Sequence, residues 1–348
     1  MNNFRKQLTA NVETLLSNKT SWVQKRDSVH AMHSLFVSLG AVNCIETPTD
    51  LPNHLVLPTG RAIAPRQAGM CLLDVRRTMV FAEGLRNAIG DLLAQFPKKT
   101  INVLDAGCGP YALLPLLAST FYSPEQVQFT LLDIHQANFE SAKTLISSLG
   151  LAAYFKDYIL ADATTYQWPH KTGLDIVISE TMNRGLQKEP QVAITLNLAR
   201  QLEPHGILIP ESVIVDLCNV NISAQSKILN DPLNILPDHS LYKEELGTII
   251  SLDKSSINAA IAQNPLCSLH IPADYDEDIH KLELHTLIKV YKKHQLQYND
   301  SGISMPLNLE RPGKRTVKAK DILDFYYSIS NTPGIEFSKN KCIKTNVS

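Results

Sequence analysis

The sequence predicts an α/β fold in which a parallel sheet follows N-terminal helices and precedes a β-rich region. Four short apolar runs, at residues 101–104, 128–132, 158–160 and 174–179, indicate strands that are buried on both faces. The first run continues into a glycine turn and then into an apolar stretch with helical spacing. After Pro210 the apolar residues alternate with polar ones, which is typical of strands with one solvated face.

The composition limits the kind of protein that this chain can be. With 348 residues, of which 44% are hydrophobic, it is long enough for large cores and two domains. The net charge of −1 gives no reason to expect nucleic acid or a membrane as a partner. The six cysteines form no C-x-x-C pattern, and neither a secretory leader nor 18 consecutive apolar residues occur, so we expect a cytoplasmic protein. His30 and His33 have no further ligands beside them, and we expect no metal.

The region before the sheet is predicted to be helical. Apolar positions in residues 1–42 fall on one face at helical spacing, which predicts two or three amphipathic helices. Three prolines between Thr47 and Pro58 predict a loop. From Ala68 to Ile89 the spacing is that of one continuous helix.

Residues 102–117 are the stretch around which we expect the chain to be organised. Asp105, Gly107 and Gly109 make a turn without side-chain bulk between the first strand and an apolar helix. Such a turn lets a nucleoside-bearing ligand lie against exposed backbone at the carboxyl end of the sheet. A tight turn that binds nothing is the alternative, because a lone glycine loop is a weak signal.

Acidic residues follow the other three predicted strands. Asp133 ends the second run, where a carboxylate can bind a ribose diol through two hydrogen bonds. Asp162 follows the third run and Glu180 follows the fourth. Because these strand ends lie on one edge of a parallel sheet, we expect the acids and the glycine turn to meet at one site.

These features resemble the class I S-adenosylmethionine-dependent methyltransferases, whose sheet is Rossmann-like. The resemblance implies S-adenosylmethionine as the cofactor, held by Gly107, Gly109 and Asp133. It also implies that Asp105 braces the turn and that Asp162 lies near the adenine. A nicotinamide enzyme is the alternative, but a pyrophosphate-binding turn prefers G-x-G-x-x-G, whereas here proline directly follows the second glycine.

The segment before the first strand is similar to one helix of the protein arginine methyltransferases. The shared residue types and spacings are those of Leu72, Asp74, Arg77, Thr78 and Phe81. By this resemblance Arg77 pairs with the carboxylate of S-adenosylmethionine, a role that suits a planar bidentate donor. The alternative is a surface arginine that bonds Asp74 in the same helix.

The segment Ser179–Glu189 resembles the two-glutamate hairpin of the same family, in which Glu180 and Glu189 would be catalytic. Met182 and Leu186 stand at the family's spacings, and the resemblance places Met182 beside the substrate. Residues nine apart on a straight helix lie on opposite faces, so the glutamates converge only if the chain reverses between them. Two carboxylates brought together need a cation between them, or one of them would protonate, and a guanidinium is such a cation. Two solvated loop acids are the alternative.

Three departures from the family pattern lie mainly where the family binds the molecule that accepts the methyl group. Tyr111 replaces the third glycine of the turn, and Gly60–Arg66 stands where the family has paired aromatic residues. The family's Thr-His-Trp loop, whose histidine helps to accept the proton, is absent, and its place corresponds to Asn299–Asn308. His285 and His294 are the histidines left open for that role.

Two arginines near these departures from the family pattern bear on the size of the methyl acceptor. Arg61 and Arg66 suit a carboxylate, which free arginine carries and a peptide-internal arginine lacks. Two solvated arginines in a turn fit the sequence equally well. The balanced net charge offers no acidic surface for a basic protein tail. We therefore expect free L-arginine or a small arginine-like molecule rather than protein arginine.

The sequence thus predicts an S-adenosylmethionine-dependent N-methyltransferase that acts on an arginine guanidinium. We expect a helical segment in residues 1–58, a Rossmann-like cofactor domain in residues 59–210 and a β-rich, barrel-like domain in residues 211–348. The last region would serve the substrate or oligomerisation, and we expect a homodimer. Two alternatives stay open: a methyltransferase for another small-molecule amine or hydroxyl, and a cofactor-binding partner protein without turnover.

Overall fold

The computed structural model describes residues 2–45, 54–230, 238–255, 264–310 and 313–340 of the chain. In these ranges no helix is both long and apolar enough to cross a membrane. The helices and strands of the described residues are α1 (Asn3–Leu16), α2 (Trp22–Ser38), β1 (Leu55–Leu57), β2 (Gly60–Ala62), α3 (Pro65–Gly69), α4 (Val75–Gln95), β3 (Ile101–Ala106), α5 (Leu113–Ala118), β4 (Val127–Asp133), α6 (Gln136–Ser148), β5 (Phe155–Leu160), β6 (Leu174–Ser179), α7 (Gln191–Leu198), β7 (Leu202–Ile209), β8 (Ser212–Asn221), α8 (Ile222–Leu229), β9 (Lys243–Asp253), β10 (Cys267–His270), β11 (His280–Tyr291), β12 (His294–Leu296), β13 (Leu307–Asn308), β14 (Ile322–Ser328) and β15 (Gly334–Asn340).

The central sheet has five parallel strands in the order β5-β4-β3-β6-β7. All six residues of β3 are buried, as are all six of β6, because helices cover both faces of the sheet centre. The carboxyl ends of the strands lie on one edge, which brings together the segments that follow Ala106, Asp133, Leu160 and Ser179. This sheet confirms the predicted Rossmann-like fold class.

The chain changes from parallel to antiparallel strands between Ile209 and Ser212. One antiparallel sheet has the order β12-β11-β8-β9, with β13 paired to β11, and a second has the order β10-β14-β15. The predicted β-rich C-terminal region is therefore confirmed, whereas the exact limits of the three regions stay a prediction. Within this region, α8 directly follows β8.

The predicted N-terminal helices are α1 and α2, and both begin with side-chain caps. Asn2 accepts a hydrogen bond from the backbone N–H of Arg5, and Ser21 forms a capping box with Gln24. Their apolar faces join the main core beneath α4 and α5. The N-terminal segment is thereby part of the same body as the parallel sheet.

The prediction of one continuous helix from Ala68 to Ile89 was wrong at its start. The chain instead forms α3 and a short 3-10 turn before α4 begins at Val75. Asp74 stops the first segment because its backbone leaves the helical region, and its side chain accepts a hydrogen bond from the N–H of Arg77 at 3.1 Å. This cap starts α4 with Arg77 in its first turn.

Helix α4 also packs against the antiparallel sheet at very short range. A Cβ atom on Gly84 would lie 2.5 Å from Cγ1 of Val290 in β11. Beside this contact, the hydroxyl of Tyr291 donates to Asp91 at 2.8 Å. His294 of β12 lies 3.1 Å from Glu83, also on α4. The absence of a side chain at Gly84 therefore sets how closely the two parts of the molecule approach.

Gly84→Ala tests this close contact. Overpacking costs about 1–3 kcal/mol, and the higher helix propensity of alanine returns about 1 kcal/mol, so we expect the free energy of unfolding to fall by up to about 2 kcal/mol. Gly90→Ala in the same helix is the control, because its Cβ would meet the hydroxyl end of Tyr122 at 3.2 Å rather than a packed branched side chain. Denaturant unfolding of both variants measures the difference, and equal stability would contradict the packing argument.

Candidate active site

A cavity of about 520 Å³ opens at the carboxyl edge of the parallel sheet. Its walls come from α4, from the segments after β3, β4, β5 and β6, and from Gly302 and Ile303 of the C-terminal region. The volume lies within the range of small-molecule sites. The predicted site residues that line it are Arg61, Arg77, Asp105, Gly107, Gly109, Asp133, Asp162, Glu180, Met182 and Glu189. Arg66 does not line it.

The glycine turn forms the floor of the cavity. Gly107 has a φ of 86°, a conformation that favours glycine, and its N–H donates to Leu132 at 2.7 Å. A Cβ atom at this position would overlap Cγ2 of Thr181, which follows β6. The backbone of the turn is consequently bare on the cavity side, as a closely bound ligand requires.

Asp133 connects the ends of β3 and β4. One carboxylate oxygen accepts the N–H of Gly109 at 2.9 Å, and the other accepts the N–H of His135 at 2.8 Å. A carboxylate offers about four acceptor positions, so acceptor capacity is left for the two hydroxyls of a ribose. The bare turn and this anchored acid therefore fit a nucleoside ligand. Asp162 has one oxygen engaged by the N–H and hydroxyl of Thr164, both at 2.8 Å, and is placed farther along the same edge.

Asp105 is buried beneath the turn and does not behave as an ordinary carboxylate. Burial, followed by the negative charge of Asp133, raises the pKa of Asp105 to about 8. The group is therefore mostly protonated at neutral pH. A neutral Asp105 avoids a second buried negative charge beneath the turn, which agrees with a bracing role for Asp105.

The chain reverses between the two glutamates, as their convergence requires. Gly185 has a φ of 63° and Leu186 a φ of 54°, and both turn the segment back towards the cavity. Glu189 is only 8% exposed, and its carboxylate accepts a hydrogen bond from the Asn183 amide at 3.4 Å. Burial raises the pKa of Glu189 above its usual range, although Arg77 opposes this shift. Glu180 lines the same cavity, so these are not two solvated acids.

The guanidinium of Arg77 donates to the carboxylate of Glu180. Both side chains are largely buried, with exposed fractions of 13% and 15%. The bond to Asp74 that the sequence left as an alternative is made by the backbone N–H of Arg77, not by its side chain. The second carboxylate oxygen of Glu180 is buried and has no hydrogen-bond partner among the described residues. Arg77 thus points into the cavity.

Tyr111, which follows the glycine turn, packs mainly against the N-terminal helices. Its ring packs 5.3 Å from that of Phe36 in α2, and its hydroxyl donates to the carbonyl of Val42 at 2.6 Å. Burial raises the pKa of this hydroxyl. The tyrosine fastens the glycine turn to the N-terminal helices, and its edge contributes to the cavity wall.

The two segments that depart from the family pattern both form walls of the cavity. The hairpin of β1 and β2 lies against the glutamate loop, because the N–H of Arg61 donates to the carbonyl of Lys188 at 2.8 Å. From the C-terminal region, the hydroxyl of Ser301 and the N–H of Gly302 donate to Asp74 at 2.6 and 3.1 Å. Sequence reasoning missed this second contact, although Asp74 three residues before Arg77 is a recognisable helix cap.

Neither of the two histidines left open for proton transfer lines the cavity. His285 is buried in β11, where it lies 2.9 Å from Glu283 and stacks on Tyr298. His294 contacts Glu83 at the interface with α4. Sequence reasoning also missed Gln191, whose side-chain oxygen accepts the N–H and hydroxyl of Thr181 and holds the start of the glutamate loop.

Comparison with known proteins agrees with this geometry. Residues 104–209 match the family described as a methyltransferase domain. The chain carries a class I S-adenosylmethionine-dependent methyltransferase domain. This match and the nucleoside-binding edge make S-adenosylmethionine the cofactor, and Gly107, Gly109 and Asp133 are the residues that fit it. No curated protein matches the chain.

Two solved structures show a similar fold over most of the chain. One is the Trypanosoma brucei PRMT1 enzyme–prozyme heterotetrameric complex with AdoHcy, which shares 17% identity over 78% of this chain and 92% of that chain, with a TM-score of 0.50. The other is Arabidopsis thaliana protein arginine methyltransferase 10, with 12% identity over 79% and 92% and a TM-score of 0.54. At these identities the likeness shows the fold alone.

Asp105→Asn tests the buried proton. The native state holds this proton up to about pH 8, whereas an unfolded aspartate releases it near pH 4, at about 3.9. The stabilisation from Asp105 is therefore complete below about pH 4 and is lost as the pH rises to about 8. Asn keeps the shape without the titration, so the variant should gain stability relative to the wild type across this window. Denaturant unfolding at a series of pH values measures the gain, and a difference that does not change with pH would contradict it.

Proposed function

We propose that this protein transfers a methyl group from S-adenosylmethionine to a nitrogen of a guanidinium. The observation that carries the proposal is that Glu180 and Glu189, from one reversed loop, line the same cavity as the glycine turn. Similarity in fold to two arginine methyltransferases supports it. The transfer of a methyl group to a cationic acceptor needs a site for the methyl donor and a pair of carboxylates within one cavity.

Different residues of the chain would bind the cofactor and the acceptor. Gly107, Gly109 and Asp133 would hold the nucleoside part of the cofactor, and Arg77 its carboxylate. When bound, the cofactor supplies an electrophilic methyl group on a positively charged sulfur. The residues have only to align an acceptor nitrogen with that carbon, so no protein nucleophile is required.

The two glutamates address the poor nucleophilicity of a guanidinium. This group is protonated and its charge is delocalised over three nitrogens. Glu180 and Glu189 would draw the charge towards two of these nitrogens and leave electron density on the third, which faces the methyl group. Because both carboxylates are largely shielded from water, their effect on the acceptor is stronger than it would be at the surface.

A small acceptor with a free carboxylate suits the walls of this cavity. The Nε atom of Arg61 is buried and has no hydrogen-bond partner among the described residues, and the side chain lines the cavity beside the glutamate loop. An unpaired buried donor is costly unless a ligand satisfies it. We therefore favour free L-arginine or a similar small molecule, with Arg61 on its carboxylate. Arg66 lies off the cavity and is not part of this proposal.

Product analysis is the direct test of this function. The protein is incubated with labelled S-adenosylmethionine and a panel of free arginine, arginine amide, peptides with internal arginine, and small amines and alcohols. Mass spectrometry then identifies the methylated product. Methylation of a guanidino nitrogen supports the proposal, whereas products only from amines or hydroxyls replace it with the broader small-molecule alternative. Binding without any product would favour a partner protein without turnover.

Glu180→Gln and Glu189→Gln test the glutamate pair. Each change keeps the shape but removes the charge that polarises the guanidinium, so each should lower kcat by about 10²–10³. The double variant should lose less than the product of the two single losses, because the carboxylates act on one group. Steady-state kinetics with the best acceptor gives the values. Near-wild-type turnover in both single variants would remove the guanidinium from consideration.

Arg61→Ala tests the recognition of a free carboxylate. It should raise the KM for free L-arginine by about tenfold or more, since a hydrogen bond to a charged group contributes roughly 1.5–3 kcal/mol. The same variant should leave the KM for arginine amide nearly unchanged. Arg66→Ala is the matched control, because it removes the same charge from the same segment without touching the cavity. Equal effects of the two substitutions, or efficient methylation of internal arginine, would contradict recognition by Arg61.

A further inference from the structure

The glutamate loop, residues 180–189, has a backbone conformation that its own side chains do not favour. Besides Gly185, both Leu186 and Lys188 have positive φ values, of 54° and 68°. This region is uncommon for residues other than glycine and is costly for a bulky one. Such a conformation persists only where the surrounding structure holds it. The contacts that hold the loop therefore decide where Glu189, the residue after Lys188, is placed.

Two of these contacts come from β14 and the turn that follows it. The hydroxyl of Tyr327 in β14 donates to the carbonyl of Leu186 at 2.7 Å. The N–H of Lys188 donates to the carbonyl of Pro333, directly before β15, at 2.7 Å. Burial raises the pKa of the Tyr327 hydroxyl, so it stays protonated and able to donate around neutral pH. The short segment that leads to Glu189 is thus held from the C-terminal region.

The reversal of the loop is held by the other antiparallel sheet. The N–H of Gly185 donates to the buried hydroxyl of Thr286 in β11 at 3.0 Å. A Cβ atom on Gly185 would lie 3.2 Å from Cδ2 of Leu307 in β13, which pairs with β11. The turn of the loop therefore rests directly on these two strands. Both sheets of the C-terminal region contact the loop, and they do so at successive residues.

We propose that Tyr327, supported by Thr286, is a positioning residue that sets the place of the Glu189 carboxylate in the cavity. The proposal rests on the function given above and adds two residues that act through the loop, since neither lines the cavity. Gln191 joins the two ends of the loop through Thr181. Tyr327 instead fixes the peptide group at which the chain turns back towards Glu189. The C-terminal region thereby determines how one of the two glutamates meets the acceptor.

The first test follows Glu189 itself and needs neither cofactor nor acceptor. Burial raises the pKa of Glu189, so a loosened loop that admits water should lower this pKa towards its ordinary value. Carbon-13 NMR of labelled glutamate carboxyl groups, assigned with Glu189→Gln, measures the titration in the wild type and in Tyr327→Phe. We expect the midpoint for Glu189 to move to lower pH in Tyr327→Phe, which lacks only the hydroxyl.

Tyr326→Phe is the matched control for this titration. Tyr326 precedes Tyr327 in β14 and therefore points to the opposite face of the strand. Its hydroxyl takes part in an exposed hydrogen bond from Ser338 at 3.4 Å. If Tyr327 only stabilises the fold, Tyr327→Phe lowers the unfolding temperature but leaves the titration of Glu189 in the folded protein unchanged. That result, or an equal shift in both variants, overturns the proposal.

The second test measures methyl transfer to free L-arginine. Tyr327→Phe and Thr286→Val should each lower kcat by about tenfold or more, because a misplaced carboxylate loses its alignment with the acceptor. The KM for S-adenosylmethionine should stay within about twofold, and Thr286→Ser, which keeps the hydroxyl, should restore most of the rate. Equal kcat values for Tyr327→Phe and Tyr326→Phe overturn the positioning role. If the wild type methylates no guanidino compound, the proposed function fails, while the titration of Glu189 still decides whether Tyr327 positions it.

Discussion

The gathering of acidic side chains at one sheet edge is the constraint on which the site depends. Like charges that are shielded from water must be protonated, hydrogen-bonded or paired with a cation. The acidic side chains at this edge are stabilised in three ways: Asp105 keeps a proton up to about pH 8, Asp133 accepts hydrogen bonds from backbone N–H groups, and Glu180 is paired with Arg77. Chemically similar residues at one edge of the sheet therefore stand in different environments.

Much of the fold could be predicted because its signals are local. Each strand of the parallel sheet is a short apolar run, and the bare glycine turn is visible as Gly107 and Gly109. The reversal between Glu180 and Glu189 could also be argued, since a straight segment would separate them. The prediction from apolar periodicity was wrong at the start of α4. The helical spacing of apolar residues continues through a 3-10 turn there and hides the break at Asp74.

The partners of the site residues could not be predicted, because they depend on how distant segments are placed. Arg77 and Glu180 are 103 residues apart in the chain, and Asp74 and Ser301 are 227 apart. Tyr111 illustrates the same limit. The sequence showed a bulky residue in place of a glycine, but only the structure shows that α2 provides a pocket for its ring. Residue types and spacing identify the groups of a site, whereas tertiary packing decides which of them pair.

The first turn of α4 connects the three parts that an acceptor would meet. Asp74 caps the helix with one carboxylate oxygen and receives Ser301 and Gly302 with the other, so the C-terminal loop is attached to the helix that carries Arg77. At this wall Gly302 and Ile303 line the cavity, and neither contributes a titratable side chain. Under the proposed function, control of the acceptor's charge therefore falls to the two glutamates, and the state of Glu180 depends on Arg77.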